Sequence, residues 1–207
     1  MSTPGSATRA DSARTHQRLL DAAGELLAQQ GTTFTLPDLA RQARVSTATV
    51  YRHFSDVHDV FDTYYRALFA DLLQRISASA GEVDPLTAFH SICDQWVRGA
   101  MSWGRSATHI RSARGYLARL RDDSEDHLTQ RFNAVLTGAI EALAADPELG
   151  RFLSPIDVDY AVLLWITMFD ERVVVDLTEV LGWSAERASA ELAESLLGAW
   201  RQGRTAV

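Results

Sequence analysis

Lysine is absent from this 207-residue chain, so its fixed positive charges are arginines. That excludes a P-loop, whose lysine reaches the phosphates of a bound nucleotide. Cysteine occurs once, at Cys93, so no disulfide can close within the chain; this fits a reducing compartment. No G-x-S-x-G, G-x-G-x-x-G, H-E-x-x-H or E-x-x-H pattern occurs. A nucleophile elbow, a dinucleotide fingerprint and the helical metal-carboxylate sites are therefore missing. The histidines (16, 53, 58, 90, 109 and 127) are scattered. His53 and His58 lie five apart, without a cysteine or carboxylate set at ligand spacing. These absences predict no catalytic residue, no metal and no cofactor. The longest apolar stretch, Tyr160–Phe169, is interrupted by Thr167 and is too short to span a bilayer. Residues 1–10 carry no apolar h-region, so no secretory signal is predicted and a cytoplasmic protein without a membrane contact is expected. Sustained two-residue alternation and Asn-Gly hairpin dipeptides are also missing, which argues against a sheet.

What is present is an ordinary globular composition, 46% hydrophobic and 23% charged, with a net charge of −7. The charge is unevenly spread. Residues 1–54 hold six arginines against four carboxylates, a balance of +2, which leaves −9 for the remainder. Attraction to phosphate is local, screened beyond about 8 Å at physiological salt. A mildly basic head on an acidic body is therefore compatible with nucleic-acid binding.

Helical periodicity runs through most of the chain. Leu19, Leu20, Ala23, Leu26 and Leu27 form an apolar stripe in a first helix over about 12–30, with Gly31 at the expected left-handed end. Thr35 can cap a second helix that has Pro37 in its first turn, and Ser46 can cap a third over 47–53. A fourth is expected over 57–79. Breaks at Gly81, Asp84-Pro85, Asp146-Pro147, Ser154-Pro155 and Gly182 delimit five more, at 86–103, 106–121, 124–145, 156–180 and 184–201. The expected architecture is all-α, with about nine helices: a tail over 1–11, a three-helix head over 12–56 and a larger body over 57–207.

Residues 35–54 read TLPDLARQARVSTATVYRHF. Two short helices joined by a three- or four-residue turn, with apolar Leu39, Ala40, Val45 and Val50 at their crossing, describe a helix-turn-helix. Its second helix would lay polar side chains into the major groove of a duplex.

Residues 14–61, about a quarter of the chain, resemble the TetR family of one-component transcriptional regulators. The likeness rests on R…LLDAA.ELLA..G in the first helix and on D-L-A…A-x-V-S-x-A-T-V-Y-R-H-F after it. Residues 168–172 (MFDER) loosely resemble the EthR-like branch. The resemblance implies phosphate contacts by Tyr51, His53 and Thr35, with Thr47, Ala48 and Thr49 facing base edges beside the Ser46 cap. Arg44 and Arg52 are further phosphate candidates. Three positions depart from the family pattern. Val57 stands where a phosphate-directed lysine is common, Arg44 stands at a turn position that is usually glycine, and Pro37 replaces a base-reading arginine of some members.

A single short recognition helix touches few bases, so a homodimer on a palindromic operator is expected. Val173, Val174, Leu177 and Leu181, with Leu192, Leu196, Leu197 and Trp200, are the interface candidates. The resemblance further implies an effector cavity in the body. Its candidate lining is Phe89, Cys93, Trp96, Met101, Trp103, Ile110, Tyr116, Phe132, Trp165 and Phe169, with Thr167, Asp170 and Asp94 as polar groups. The resulting expectation is a repressor released from double-stranded operator DNA by an apolar small molecule. Two alternatives stay open from sequence: an activator of the same family, and an all-helical small-molecule carrier with a non-functional head.

Overall fold

A computed structural model describes residues 4–79, 81, 84–107, 127–153 and 157–202. These residues contain helices and no strand. The chain divides into two compact units, residues 1–67 and 68–207.

In the first unit, α1 spans Pro4–Gln30 and is followed by a 3-10 turn, Gly31–Thr33; α2 spans Leu36–Gln42, α3 spans Thr47–His53 and α4 begins at Val57. Of the tail expected over 1–11, residues 4–11 belong to α1. Proline is at home in a first helical turn, and the alanines after Pro4 favour helix. Gly31 ends α1 at φ +63, a left-handed conformation that costs glycine little. Leu19, Ala23, Leu39, Val50 and Val60 are fully buried and form the centre of the head core. Phe34 meets Phe61 edge-on, 5.3 Å between ring centres.

Helix α4 spans Val57–Ser79, so its residues fall in both units. In the second unit, α5 spans Pro85–Ala107, α6 His127–Ala145, α7 Gly150–Leu153, α8 Val158–Met168, α9 Glu171–Val175 and α10 Ala185–Gln202. Asp84 caps α5, accepting from the Thr87 N–H at 2.8 Å. Helix α5 packs most extensively against α9 and α10. The expected helix over 106–121 falls partly on residues 108–126, outside the described set.

The sequence predicts one helix over 156–180, and the structure breaks it. Asp157 caps α8, and Asp170 caps a new helix by accepting from the Arg172 N–H at 2.9 Å. The break at Phe169 leaves that residue's carbonyl outside the helical ladder. There it accepts the Trp96 indole N–H at 2.7 Å, a buried hydrogen bond. The segment Asp176–Val180 continues from α9 as a single π-helical turn.

Candidate nucleic-acid interface

The helix-turn-helix is built from local hydrogen bonds that its sequence encodes. At the start of α2 the Thr35 N–H and hydroxyl both donate to Asp38 Oδ2, at 2.9 and 2.6 Å. Aspartate thus closes the capping box, although glutamate is the commoner choice. These bonds, with Arg41 at 3.0 Å, hold the Asp38 carboxyl below the usual range. Pro37 sits in the first turn, where no intrahelical donor is missed.

Helix α2 ends in a Schellman motif. The Val45 N–H donates to Ala40 O at 3.0 Å, and the Arg44 N–H donates to Arg41 O at 3.2 Å. Arg44 is the left-handed residue of that motif, at φ +53. It is the lone non-glycine residue with positive φ among the described residues. From α1, Arg18 Nη2 donates to Ala43 O at 2.7 Å and ties the first helix to the turn.

Ser46 caps α3, its Oγ accepting from the Thr49 N–H at 3.1 Å. Val50 is fully buried, and Phe54 plugs the core just beyond the helix. That anchoring leaves Thr47, Ala48, Tyr51 and Arg52 exposed, with Tyr51 at 58%. Thr49 is half-buried and its hydroxyl is engaged, 2.8 Å from Ser46 Oγ and accepting Arg52 Nη2 at 3.1 Å. His53 is half-buried. Its ring lies 5.7 Å from that of His16, and both rings meet Phe54. Burial, then the neighbouring His16 and Arg52, lower the His53 pKa.

The start of α4 is a second reciprocal cap. The Ser55 N–H donates to Asp59 Oδ2 at 2.8 Å and the Asp59 N–H donates to Asp56 Oδ1 at 3.0 Å. Val57 is partly buried against the head core, so it serves packing where the family pattern has a lysine. His58 is exposed, edge-on to Phe61 at 6.2 Å. Thr35 and Arg44 are exposed as well.

Sequence reasoning overlooked His16 and Arg18. Both come from α1, and no local pattern marks a residue whose partner lies 25 or more positions away. The arginine five residues before the Leu-rich stripe's centre had no distinguishing spacing of its own.

In the body, the candidate effector residues separate into two groups. Trp96, Phe132, Trp165 and Phe169 come together: Trp96 to Phe132 is 5.0 Å, Trp96 to Trp165 is 5.2 Å, and Trp165 stacks on Phe169 at 4.6 Å. The Trp165 indole N–H donates to Cys93 Sγ at 3.5 Å, and burial pushes the Cys93 thiol up to about 12. Phe89 is buried against Trp200, 5.6 Å between rings. Four candidates stand apart. Met101 is 45% exposed. Thr167 is exposed, its hydroxyl donating to Leu163 O at 2.8 Å. Asp170 caps α9 and pairs with Arg172 at 3.0 Å. Asp94 pairs with Arg98 at 2.8 Å, and Arg98 also binds Glu186. Ile110 and Tyr116, and the Trp103 side chain, lie outside the described residues.

The candidate dimer stripe also needs correction. Val174, Leu196, Leu197 and Trp200 are buried by their own chain and cannot meet a partner without opening the core. Val173, Leu177 and Leu192 are half-buried. Leu181 is 60% exposed, and so are Val180, Tyr160 and Leu163 to differing extents.

Among the described residues, no helix is long and apolar enough to cross a membrane, and no group of three or more His, Cys, Asp or Glu is placed to hold a metal ion. Residues 19–62 match the model of the bacterial regulatory proteins of the tetR family. No curated protein matches the sequence significantly. Solved structures are similar over nearly the whole chain. The transcriptional regulator FadR from Bacillus subtilis, solved in complex with stearoyl-CoA, is 19% identical, with a TM-score of 0.61 over 87% of this chain and 97% of that one. The TetR family regulator PfmR from Thermus thermophilus is 18% identical, with a TM-score of 0.64 over 87% and 97%. A TetR/AcrR family regulator from Thermobifida fusca is 17% identical, with a TM-score of 0.62 over 88% and 96%. Residues 19–62 thus match the model of the bacterial regulatory proteins of the tetR family, and the chain as a whole has the fold of solved members of that family.

Proposed function

We propose that this protein is a repressor that binds a palindromic operator as a homodimer and leaves it when an apolar small molecule binds the body. The observation that carries the reading is the division of α3. Val50 is sealed in the core, while Thr47, Ala48, Tyr51 and Arg52 are presented outward on a helix short enough for one groove passage. The tetR-family match over the same segment supports it. Tyr51 and His53 would hold phosphates on one side of that helix, leaving the exposed polar face to the bases.

Two half-sites about 34–36 Å apart require two heads. The exposed apolar residues of the body are the surface we assign to a second copy: Tyr160 and Leu163 share a face of α8, and Val180 and Leu181 end the π-helical turn. Leu163→Asp is expected to yield monomers by light scattering and to abolish operator binding. A variant that stays dimeric refutes this surface.

An apolar effector suits a body whose interior is dominated by Trp96, Phe132, Trp165 and Phe169. The similarity to the FadR–stearoyl-CoA complex makes a long-chain acyl-CoA the first effector to test. Release requires that the ligand bind the DNA-incompetent state more tightly than the competent one. The test is a gel shift on the DNA upstream of the protein's own gene, at moderate salt, with and without stearoyl-CoA. A sequence-dependent, salt-sensitive complex is expected, weakened by the effector. No preference over scrambled DNA defeats the regulator reading; a complex indifferent to saturating stearoyl-CoA eliminates that effector.

A further inference from the structure

Arg52 stands near the C-terminal end of α3, beside Tyr51 and His53, where a phosphate contact is the first expectation. Its guanidinium is not directed there. It reaches back one turn and donates through Nη2 to Thr49 Oγ1 at 3.1 Å, and Thr49 Oγ1 lies 2.8 Å from Ser46 Oγ. Ser46, Thr49 and Arg52 thus form one hydrogen-bonded file along the helix, at i, i+3 and i+6. Helical side chains lean toward the N-terminus, which brings such neighbours together. The file sets the charged end of Arg52 over the first turn of α3, among the positions that meet base edges in helices of this kind. One N–H of a five-donor fork is committed to Thr49, and the side chain is exposed. Arginine is the residue best suited to take guanine O6 and N7 with two parallel N–H groups.

We infer that Arg52 is a specificity-determining residue that reads a guanine in the major groove, and that Thr49 is the positioning residue that aims it. The inference rests on the DNA-binding reading above. It reassigns both side chains: Thr49, expected at a base edge, has its hydroxyl engaged within the helix, and Arg52, expected at a phosphate, is aimed at bases. A phosphate contact needs only a cation within reach, whereas a bidentate contact to guanine needs the fork held in one plane. An anchored guanidinium meets the second requirement and is superfluous for the first.

The experiment selects duplexes from a random pool with the full-length protein, then repeats the selection with Arg52→Ala, Arg52→Lys, Thr49→Val and Thr49→Ser. Both side chains lie outside the buried contact made by Val50, and matching thermal melts verify folding. The wild type is expected to select a guanine at one position of each half-site. Arg52→Ala should lose that preference by on the order of ten- to a hundredfold while other positions keep theirs. Arg52→Lys, which keeps the charge but not the fork, should lose most of it too. Thr49→Val should weaken the preference and Thr49→Ser should restore it. Replacing the selected base by 7-deazaguanine should weaken the wild type and leave Arg52→Ala unaffected. The inference is overturned if Arg52→Ala weakens all duplexes equally and lowers the salt slope by about one, the signature of a lost phosphate contact. A Thr49→Val variant with an undiminished guanine preference removes Thr49 from the assignment. Failure of the wild type to select any sequence defeats the DNA-binding reading itself, and this inference with it.

Discussion

Arg44 offers a direct way to weigh backbone strain against function. It occupies the left-handed position of the Schellman motif closing α2, at φ +53, with both characteristic hydrogen bonds formed. A side chain there brings Cβ against the following carbonyl, at a cost of about 1–2 kcal/mol. Glycine removes that cost but gives the unfolded chain more freedom, which returns about 0.5–1 kcal/mol. Arg44→Gly should therefore stabilise the head by roughly 0.5–1 kcal/mol. That is about 1–4 °C in melting temperature if the whole chain melts cooperatively, and about twice that if the head melts alone. Arg44→Ala keeps the strained backbone and loses the same guanidinium, so it should not gain stability. Scanning calorimetry of the three proteins separates the backbone effect from the side chain's. The same Arg44→Gly variant loses an exposed cation beside the recognition helix. Its affinity for DNA should fall alike for all sequences, with the salt slope reduced by about one. An Arg44→Ala protein as stable as Arg44→Gly, or an Arg44→Gly protein less stable than the wild type, refutes the strain argument. Glycine's frequency at such a position would then have another cause.

Other expectations follow from the same geometry. A Cβ added at Gly24 would lie 2.7 Å from Tyr64 Oη, so Gly24→Ala should lower stability by about 1 kcal/mol despite alanine's better helix propensity. In a Tyr64→Phe background the cost should shrink, since only the ring carbons at 3.1 and 3.2 Å remain in the way, and a double-mutant cycle in denaturant measures the coupling. His53 titrates below its ordinary value of 6.5 because the folded head disfavours its charge. Head stability should therefore fall as pH drops below about 6.5, since the unfolded chain takes up the proton first. Operator affinity should move the other way over the same range, because a phosphate favours the protonated ring. His53→Gln should flatten both profiles, and an unchanged affinity profile would remove His53 from the DNA contact. Cys93 should resist thiol reagents in the native protein and react only after unfolding, as burial and a thiol pKa pushed up to about 12 leave almost no thiolate. Rapid native-state labelling counts against that burial.

The parts of the fold that could be read from sequence are those fixed by neighbours a few residues apart. Thr35, Pro37, Ser46 and the apolar crossing residues place α2 and α3, because caps and turns are local chemistry. The start of α1 was harder. Pro4 and the alanines that follow favour helix, but their small, polar neighbours give no apolar stripe to follow. The break at Asp170 has a local cause, an aspartate cap, yet Asp170-Glu171-Arg172 reads equally well as a charged helix face. The stripe on α10 shows a different limit. Leu196, Leu197 and Trp200 have the period of a buried face, and periodicity does not say whether the covering surface is one's own chain or another's. His16 and His53 meet across 37 positions, and nothing in the run of residues around either announces the other.

The division into two units has a spectroscopic consequence. Each tryptophan of the chain, at 96, 103, 165, 183 and 200, falls in the second unit, and the first contains none. Indole emission therefore watches the body alone, while far-ultraviolet ellipticity sums the helices of both. Divergence of the two signals during a thermal or urea scan would reveal a head that comes apart independently, without any label being introduced. In a titration with a small molecule, quenching would likewise place the event in the second unit.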